Sequence, residues 1–195
     1  ITAKVLTITG LAADDKVYDG TTDVSITNGG SVTTGVGSET LVLNQGTAAF
    51  ADRNVGDGIT VTSSGYSLAD GTNGGLASNY VLSSTSATTT ANITARTLIV
   101  TYVGTNKVYD GSITASVIDS DDRIAGDTLT ISETAAFGDK NVGTGKTINV
   151  TGVSLGGADA GNYTLASNTA TASGAITRLN SVTWIGGTSG NWFDP

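Results

Sequence analysis

"ITVTSSGYSL" at residues 59–68 and "INVTGVSL" at residues 148–155 decide how this chain folds. Each opens as a β-strand, with Ile59 and Val61, or Ile148 and Val150, at alternate positions. The alternation then breaks. Tyr66 and Leu68 have the opposite parity to Ile59 and Val61, and Val153 and Leu155 are out of phase with Ile148 and Val150 in the same way. Strand side chains alternate strictly between two faces, so one odd insertion turns the buried face over. A glycine stands at each flip, Gly65 and Gly152, where a β-bulge is expected. Hydrophobicity alone would not preserve a phase break. The two stretches are copies of one structural unit.

The copying extends outward in both directions. "KVYDGTT" from Lys16 returns as "KVYDGSI" from Lys107, and "TAAFADRNVGDG" from Thr47 returns as "TAAFGDKNVGTG" from Thr134. "SNYVL" from Ser78 returns as "GNYTL" from Gly161, and "ANIT" from Ala91 as "GAIT" from Gly174. The offset falls from 91 residues (Lys16 to Lys107) to 83 (Ala91 to Gly174), so the length changes lie in intervening loops. Two modules are expected, residues 1–95 and 96–178, with a remainder at 179–195 that matches neither.

Both modules read as strands. "KVLTIT", "TLIVTYV", "TLVLN" and "TLTIS" alternate or run β-branched, and Gly- and Asn-rich turns separate them. No stretch of a dozen residues carries helical periodicity. The expected fold is all-β: two tandem β-sandwich-like modules, Ig-like or β-grasp-related, arranged end to end as a rod. The junction "ANITARTLIVTYV" (91–103) contains neither Pro nor Gly, unlike a flexible tether. Its buried face changes between Ile93 and Leu98, which predicts a rotation of the second module about the long axis.

Composition narrows the function. The chain has no Cys and no His, which removes disulfides, thiolate nucleophiles, the commonest general base and every Ser-His arrangement. A net charge of −8, with only nine basic residues and those scattered, argues against nucleic acid. No apolar run approaches the length of a membrane span. An acidic chain rich in Thr, Ser and Gly has the look of secreted bacterial β-protein. It begins mid-pattern at Ile1 and stops just after "NWFDP", as a piece of something longer would.

The block Lys-Val-Tyr-Asp-Gly has two readings. In one, Lys16 and Asp19, with Lys107 and Asp110, are acid/base or nucleophilic pairs. In the other, Tyr18 and Val17 pack on the fold, with Tyr109 alike in the second copy, while Asp19-Gly20 and Asp110-Gly111 make turns, with Asp accepting backbone N–H groups and Gly supplying a positive φ. Duplication favours the turn, because a fold needs its turn in every copy and a catalytic site rarely comes in tandem. No catalytic residue is expected.

"KVYDGTT", "AAFADRNVGDG", "GYSL" and "SNYVL…ANIT", with their second copies, resemble the YDG repeat of large bacterial surface exoproteins. These are the filamentous-haemagglutinin-like and fibrillar adhesins of Gram-negative bacteria. The resemblance implies a stalk or spacer module, secreted to the cell surface, that holds an adhesive region away from the cell for adhesion or biofilm formation. Its partners would be neighbouring modules of the same chain, and host-cell or matrix glycans would be met by other parts of the parent protein. A monomer is expected. The terminal "SVTWIGGTSGNWFDP", with Trp184 and Trp192, is similar to the opening of a passenger-type β repeat.

Other residues admit further chemistry, each beside a plainer reading. "DSDDRIAGD" gathers Asp119, Asp121, Asp122 and Asp127, a calcium candidate without EF-hand spacing whose plain alternative is a solvated acidic turn. No cofactor is otherwise expected. Lys16 and Lys107 with Asn54/Asn141 or Asn79/Asn162 are candidates for an intramolecular Lys–Asn crosslink beside Asp19 or Asp110. Asn92, Asn149 and Asn162 open N-x-T sequons. Two alternatives to a stalk remain: a glycan- or matrix-binding module, which predicts an exposed aromatic cluster, and a polysaccharide-acting enzyme, which predicts a cleft with paired carboxylates.

Overall fold

The structure, a computed structural model, describes residues 1–180. Trp184 and Trp192, and nearly all of the expected following repeat, lie outside the described residues. The described chain is all-β, its only helical segments being single 3-10 turns at Ala77–Asn79 and Ala160–Asn162. Strands of the first repeat are β1 (Lys4–Leu6), β2 (Thr9–Ala13), β3 (Lys16–Val17), β4 (Ile26–Ser31), β5 (Leu41–Asn44), β6 (Thr47–Phe50), β7 (Gly56–Ser64), β8 (Ser67–Asp70), β9 (Tyr80–Leu82) and β10 (Ser86–Thr94). Those of the second are β11 (Arg96–Leu98), β12 (Val100–Gly104), β13 (Lys107–Val108), β14 (Val117–Asp121), β15 (Thr130–Phe137), β16 (Gly143–Gly156), β17 (Tyr163–Leu165) and β18 (Thr169–Thr177).

The repeats share a topology. The main sheet of the first has the order β3-β10-β7-β6, and that of the second β13-β18-β16-β15. Short pairs accompany each: β1-β9 and β2-β4 in one, β11-β17 and β12-β14 in the other. An early and a late strand pair in parallel in each copy, Lys16–Val17 beside Ile93–Thr94 and Lys107–Val108 beside Ile176–Thr177. The late strand is also the antiparallel neighbour of the longest one, β10 along β7 and β18 along β16.

Two compact units contain the described residues. The first comprises Ile1–Leu98 together with Arg123–Leu129 and Gly157–Thr164; the second comprises Ile99–Asp122, Thr130–Gly156 and the residues from Leu165 on. The first unit buries Tyr18, Phe50, Val61, Tyr66 and Ile93, and the second buries Phe137, Ile148, Val150, Val153 and Ile176. Of these, Val61, Tyr66, Ile93, Ile148, Val150 and Val153 are positions that the parity pattern marks, while Ile59, Leu68 and Leu155 are half-buried. Val17, expected to pack on the fold, is 57% exposed because it points away from the face that holds Tyr18.

The phase break is realised in two ways. In the second repeat Ser132 faces Ser154, but Thr134 faces Thr151, so β16 carries one residue more than β15 around Gly152, whose φ is +65°. That is a bulge inside a continuous strand. The first repeat is longer here and breaks outright: β7 ends at Ser64, Gly65 turns at φ +79°, and β8 pairs separately with β5. Gly46 lies against this corner, where a Cβ would fall 2.1 Å from the Ser64 carbonyl oxygen, so only glycine admits the approach. At the junction Ile93 and Leu98 are both buried.

Candidate functional site

Each Tyr-Asp-Gly block is a closed turn built around one lysine. Tyr18 donates its N–H to the Thr94 carbonyl at 2.9 Å, extending the β3–β10 pairing by one residue. The chain then leaves the sheet. Asp19 Oδ1 accepts the N–H and the hydroxyl of Thr21, both at 2.9 Å, while Gly20 takes φ +78°. Lys16 Nζ donates to Asp19 Oδ1 and to the Thr21 carbonyl at 2.8 Å, and to Thr21 Oγ1 at 3.1 Å. It also lies 5.5 Å from the centre of the Phe50 ring.

The second copy repeats the device. Lys107 Nζ reaches Asp110 Oδ1 at 2.8 Å and the carbonyls of Ser112 and Thr114 at 2.9 Å, with the Phe137 ring 5.8 Å away. Asp110 accepts from Ser112 N–H and Oγ, and Gly111 has φ +78°. The Lys107 bond, with the Ser112 donors, lowers the Asp110 carboxyl to about 2. For Asp19, burial pushes upward, but Lys16 and Thr21 outweigh it and the carboxyl falls below its usual range. All three Lys16 donors thus meet protein acceptors within its own turn. The lysine links three acceptors of the turn through one nitrogen. Asn54, Asn79, Asn141 and Asn162 are not among the partners of either lysine.

A second constellation lies within the first unit and was not foreseen. The hydroxyl of Tyr18, a residue 1% exposed, donates to Asp127 Oδ2 at 2.9 Å. Tyr163 donates to the same oxygen at 2.6 Å, and its own oxygen accepts the Ile124 N–H at 2.9 Å. The two rings meet edge to face at 5.5 Å. Asp127 is 7% exposed, and its other oxygen, Oδ1, has no hydrogen-bond partner; Arg53 stands 3.8 Å from it and 3.5 Å from Asp159. Burial first, then the Asp127 carboxylate, raises Tyr18, and the same two causes push Tyr163 up to about 12. Both phenols therefore stay protonated and act as donors to one buried charge. Beside them Asn162 accepts the Val55 N–H at 2.9 Å and donates to Asn54 Oδ1 at 3.0 Å.

This placement changes the reading of several singled-out residues. Of the calcium candidates, Asp119 is exposed on β14, Asp122 accepts the Ile99 N–H at 2.8 Å, and Asp127 serves the two tyrosines. Among the described residues no group of three or more acidic side chains is placed to hold a metal ion. A solvated turn fits neither end of the run: Asp119 is exposed but lies in a strand, and Asp127 is buried. Of the sequons, Asn162 is buried and bonded, and Asn92 is tied to Asp15 and Gly58; Asn149 is exposed. Every described Tyr and Phe is buried or half-buried, so an exposed aromatic cluster is not present among the described residues. The signal in the sequence for Arg53 is the repeat of "DRN" as "DKN", which keeps a base and an amide at this place in both copies.

The turn motif, its lysine and its glycine recur in both repeats with one geometry. The YDG domain model matches residues 2–90 and again 94–172. The chain belongs to the YDG domain family. No curated protein and no solved structure matches it. Asp19 and Asp110 close their turns locally, and in the first motif Tyr18 also reaches a carboxylate far away in sequence.

Proposed function

We propose that the two YDG domains form a non-catalytic spacer of a bacterial cell-surface adhesin, holding a binding region away from the cell. On this reading the protein is secreted, its domains are sandwich-like modules standing end to end as a stiff rod, and its immediate partners are neighbouring modules of the same chain. The observation that carries it is the parallel pairing of early and late strands in each repeat, β3 with β10 and β13 with β18. Tension applied through the two ends of such a domain runs along these strands in opposite senses. It loads the pairing of Lys16–Val17 with Ile93–Thr94 in shear, while the Ser86–Ile93 ladder on Ser64–Gly56 anchors the late strand in its sheet. The YDG lysines and aspartates are engaged within their own turns, which supports a structural role for both copies.

Single-molecule stretching tests the reading. Each domain is expected to unfold in one abrupt event at high force; gradual extension at low force would overturn it. Small-angle scattering from dilute protein should give a stiff, elongated monomer, and a compact particle would point instead to a binding or catalytic domain.

A further inference from the structure

The two repeats carry equivalent sets of interlocking groups, and among the described residues one combination of them is complete. In the first unit, the end of the first repeat that bears Tyr18, Arg53, Asn54 and Val55 is closed by two loops of the second, residues 123–129 and 157–164. By repeat equivalence Tyr109, Lys140, Asn141 and Val142 occupy the corresponding positions at the other YDG turn. Likewise Val36, Glu39, Asn79 and Tyr80 correspond to Ile124, Asp127, Asn162 and Tyr163.

Both of these faces are built, and nothing among the described residues covers them as the two loops cover Tyr18. Tyr80 donates to Glu39 Oε2 as Tyr163 does to Asp127, and Glu39 N–H bonds the Val36 carbonyl as Asp127 N–H bonds that of Ile124, each at 3.1 Å. Asp139 accepts the Asn141 N–H at 2.8 Å as Asp52 accepts that of Asn54 at 2.9 Å, so the amide is presented alike. What differs is cover. Tyr109 is half-buried where Tyr18 is sealed, and its hydroxyl has no hydrogen-bond partner among the described residues. Asn79 is exposed where Asn162 is 5% exposed, and Val142 is 43% exposed where Val55 is half-buried.

We propose that these two faces are complementary halves of one interface, so that the Tyr109 face of one copy of this chain docks head to tail on the Tyr80–Glu39 face of a second copy. The Tyr109 hydroxyl then donates to Glu39, Lys140 supplies the cation that Arg53 provides to Asp127, and Asn79 engages Val142 N–H and Asn141. Charge is complementary, with lysine on one face and glutamate on the other. Leu76, 48% exposed, stands where the first unit has Asp159. It replaces a second ionic contact by an apolar one, which makes the joint weaker and less salt-sensitive than its internal counterpart. Because the two faces differ, the association is heterologous and adds copies head to tail instead of stopping at a symmetric pair. This inference stands on the equivalence of the repeats and holds whether or not the protein is a stalk.

Sedimentation velocity over a concentration series up to about 1 mM tests it, a range that reads weak self-association. The weight-average mass should rise with concentration without reaching a dimer plateau. Tyr109→Phe and Asn79→Ala, one on each face, should each weaken association about tenfold, the scale of a lost hydrogen bond to a charged or buried partner. A mixture of the two variants should stop at dimers, because each retains one intact face. A chain that stays monomeric throughout, a closed symmetric dimer, or association indifferent to both substitutions would overturn the proposal. Circular dichroism of each variant separates lost docking from lost fold.

Discussion

Replacing Tyr18 and Tyr109 by phenylalanine, one at a time, asks what the motif tyrosine is for. The two occupy the same place in the same turn, and their N–H groups bond equivalent strand carbonyls, Thr94 and Thr177, at 2.9 Å. Their hydroxyls differ. That of Tyr18 donates to the buried Asp127 carboxylate, an interaction in the range of about 1.5–3 kcal/mol for a hydrogen bond to a charged group. Its loss leaves Tyr163 as the one hydroxyl donor on Oδ2, with Oδ1 already lacking a hydrogen bond. Tyr18→Phe should therefore destabilise the first unit by about 2 kcal/mol, and Tyr109→Phe should leave the second unit within about 0.5 kcal/mol of the parent. Tyr163→Phe removes a donor from Asp127 and an acceptor from Ile124, and should cost about 3 kcal/mol. Native-state hydrogen exchange at the amides of residues 18 and 109 reads each unit separately, which bulk denaturation of a two-unit chain does not. Equal costs at 18 and 109 would refute the reasoning, because the ring and turn would then matter and the carboxylate would not.

Alkali should act on the first unit first. Tyr163, folded, ionises at about 12 against an ordinary 10.0, and Tyr18 is raised as well. A raised folded value stabilises fully below pH 10.0 and is lost as pH climbs toward about 12, so stability of this unit should fall across that window, with late phenolate absorbance that Asp127→Asn moves down. The motif glycines give a second contrast. At φ +78° both Gly20→Ala and Gly111→Ala should cost about 1–2 kcal/mol, but a Cβ at Gly20 would also lie 3.0 Å from Ile124 Cγ2 while that at Gly111 meets open space. Native-state hydrogen exchange, read in each unit, should therefore rank Gly20→Ala as the more damaging; the reverse order would contradict the packing of Ile124 on this turn.

What the sequence made legible follows from distance along the chain. The YDG turn could be read because its ligands lie within seven residues of the lysine, as in Lys107 to Thr114. The phase break at Gly152 could be read because strand alternation makes one extra residue visible. The tyrosine cluster could not. Tyr18 and Asp127 are 109 residues apart, and the acceptor stands in an acidic run that reads as solvent-facing. The equivalent residue in the first repeat is Glu39, so simple repeat matching hides the carboxylate behind a change of side chain. Arg53 and Asn54 repeat as Lys140 and Asn141, but nothing in that spacing names what they face.

The pairing of Lys16–Val17 with Ile93–Thr94 also sets a schedule for folding. A chain delivered gradually, from either end, cannot finish its first sheet until almost the whole repeat has emerged, because the earliest strand waits for the latest. Such contacts between distant residues make closure slow and late. The polypeptide would remain open and threadable through most of its delivery, and then lock in a single concerted step.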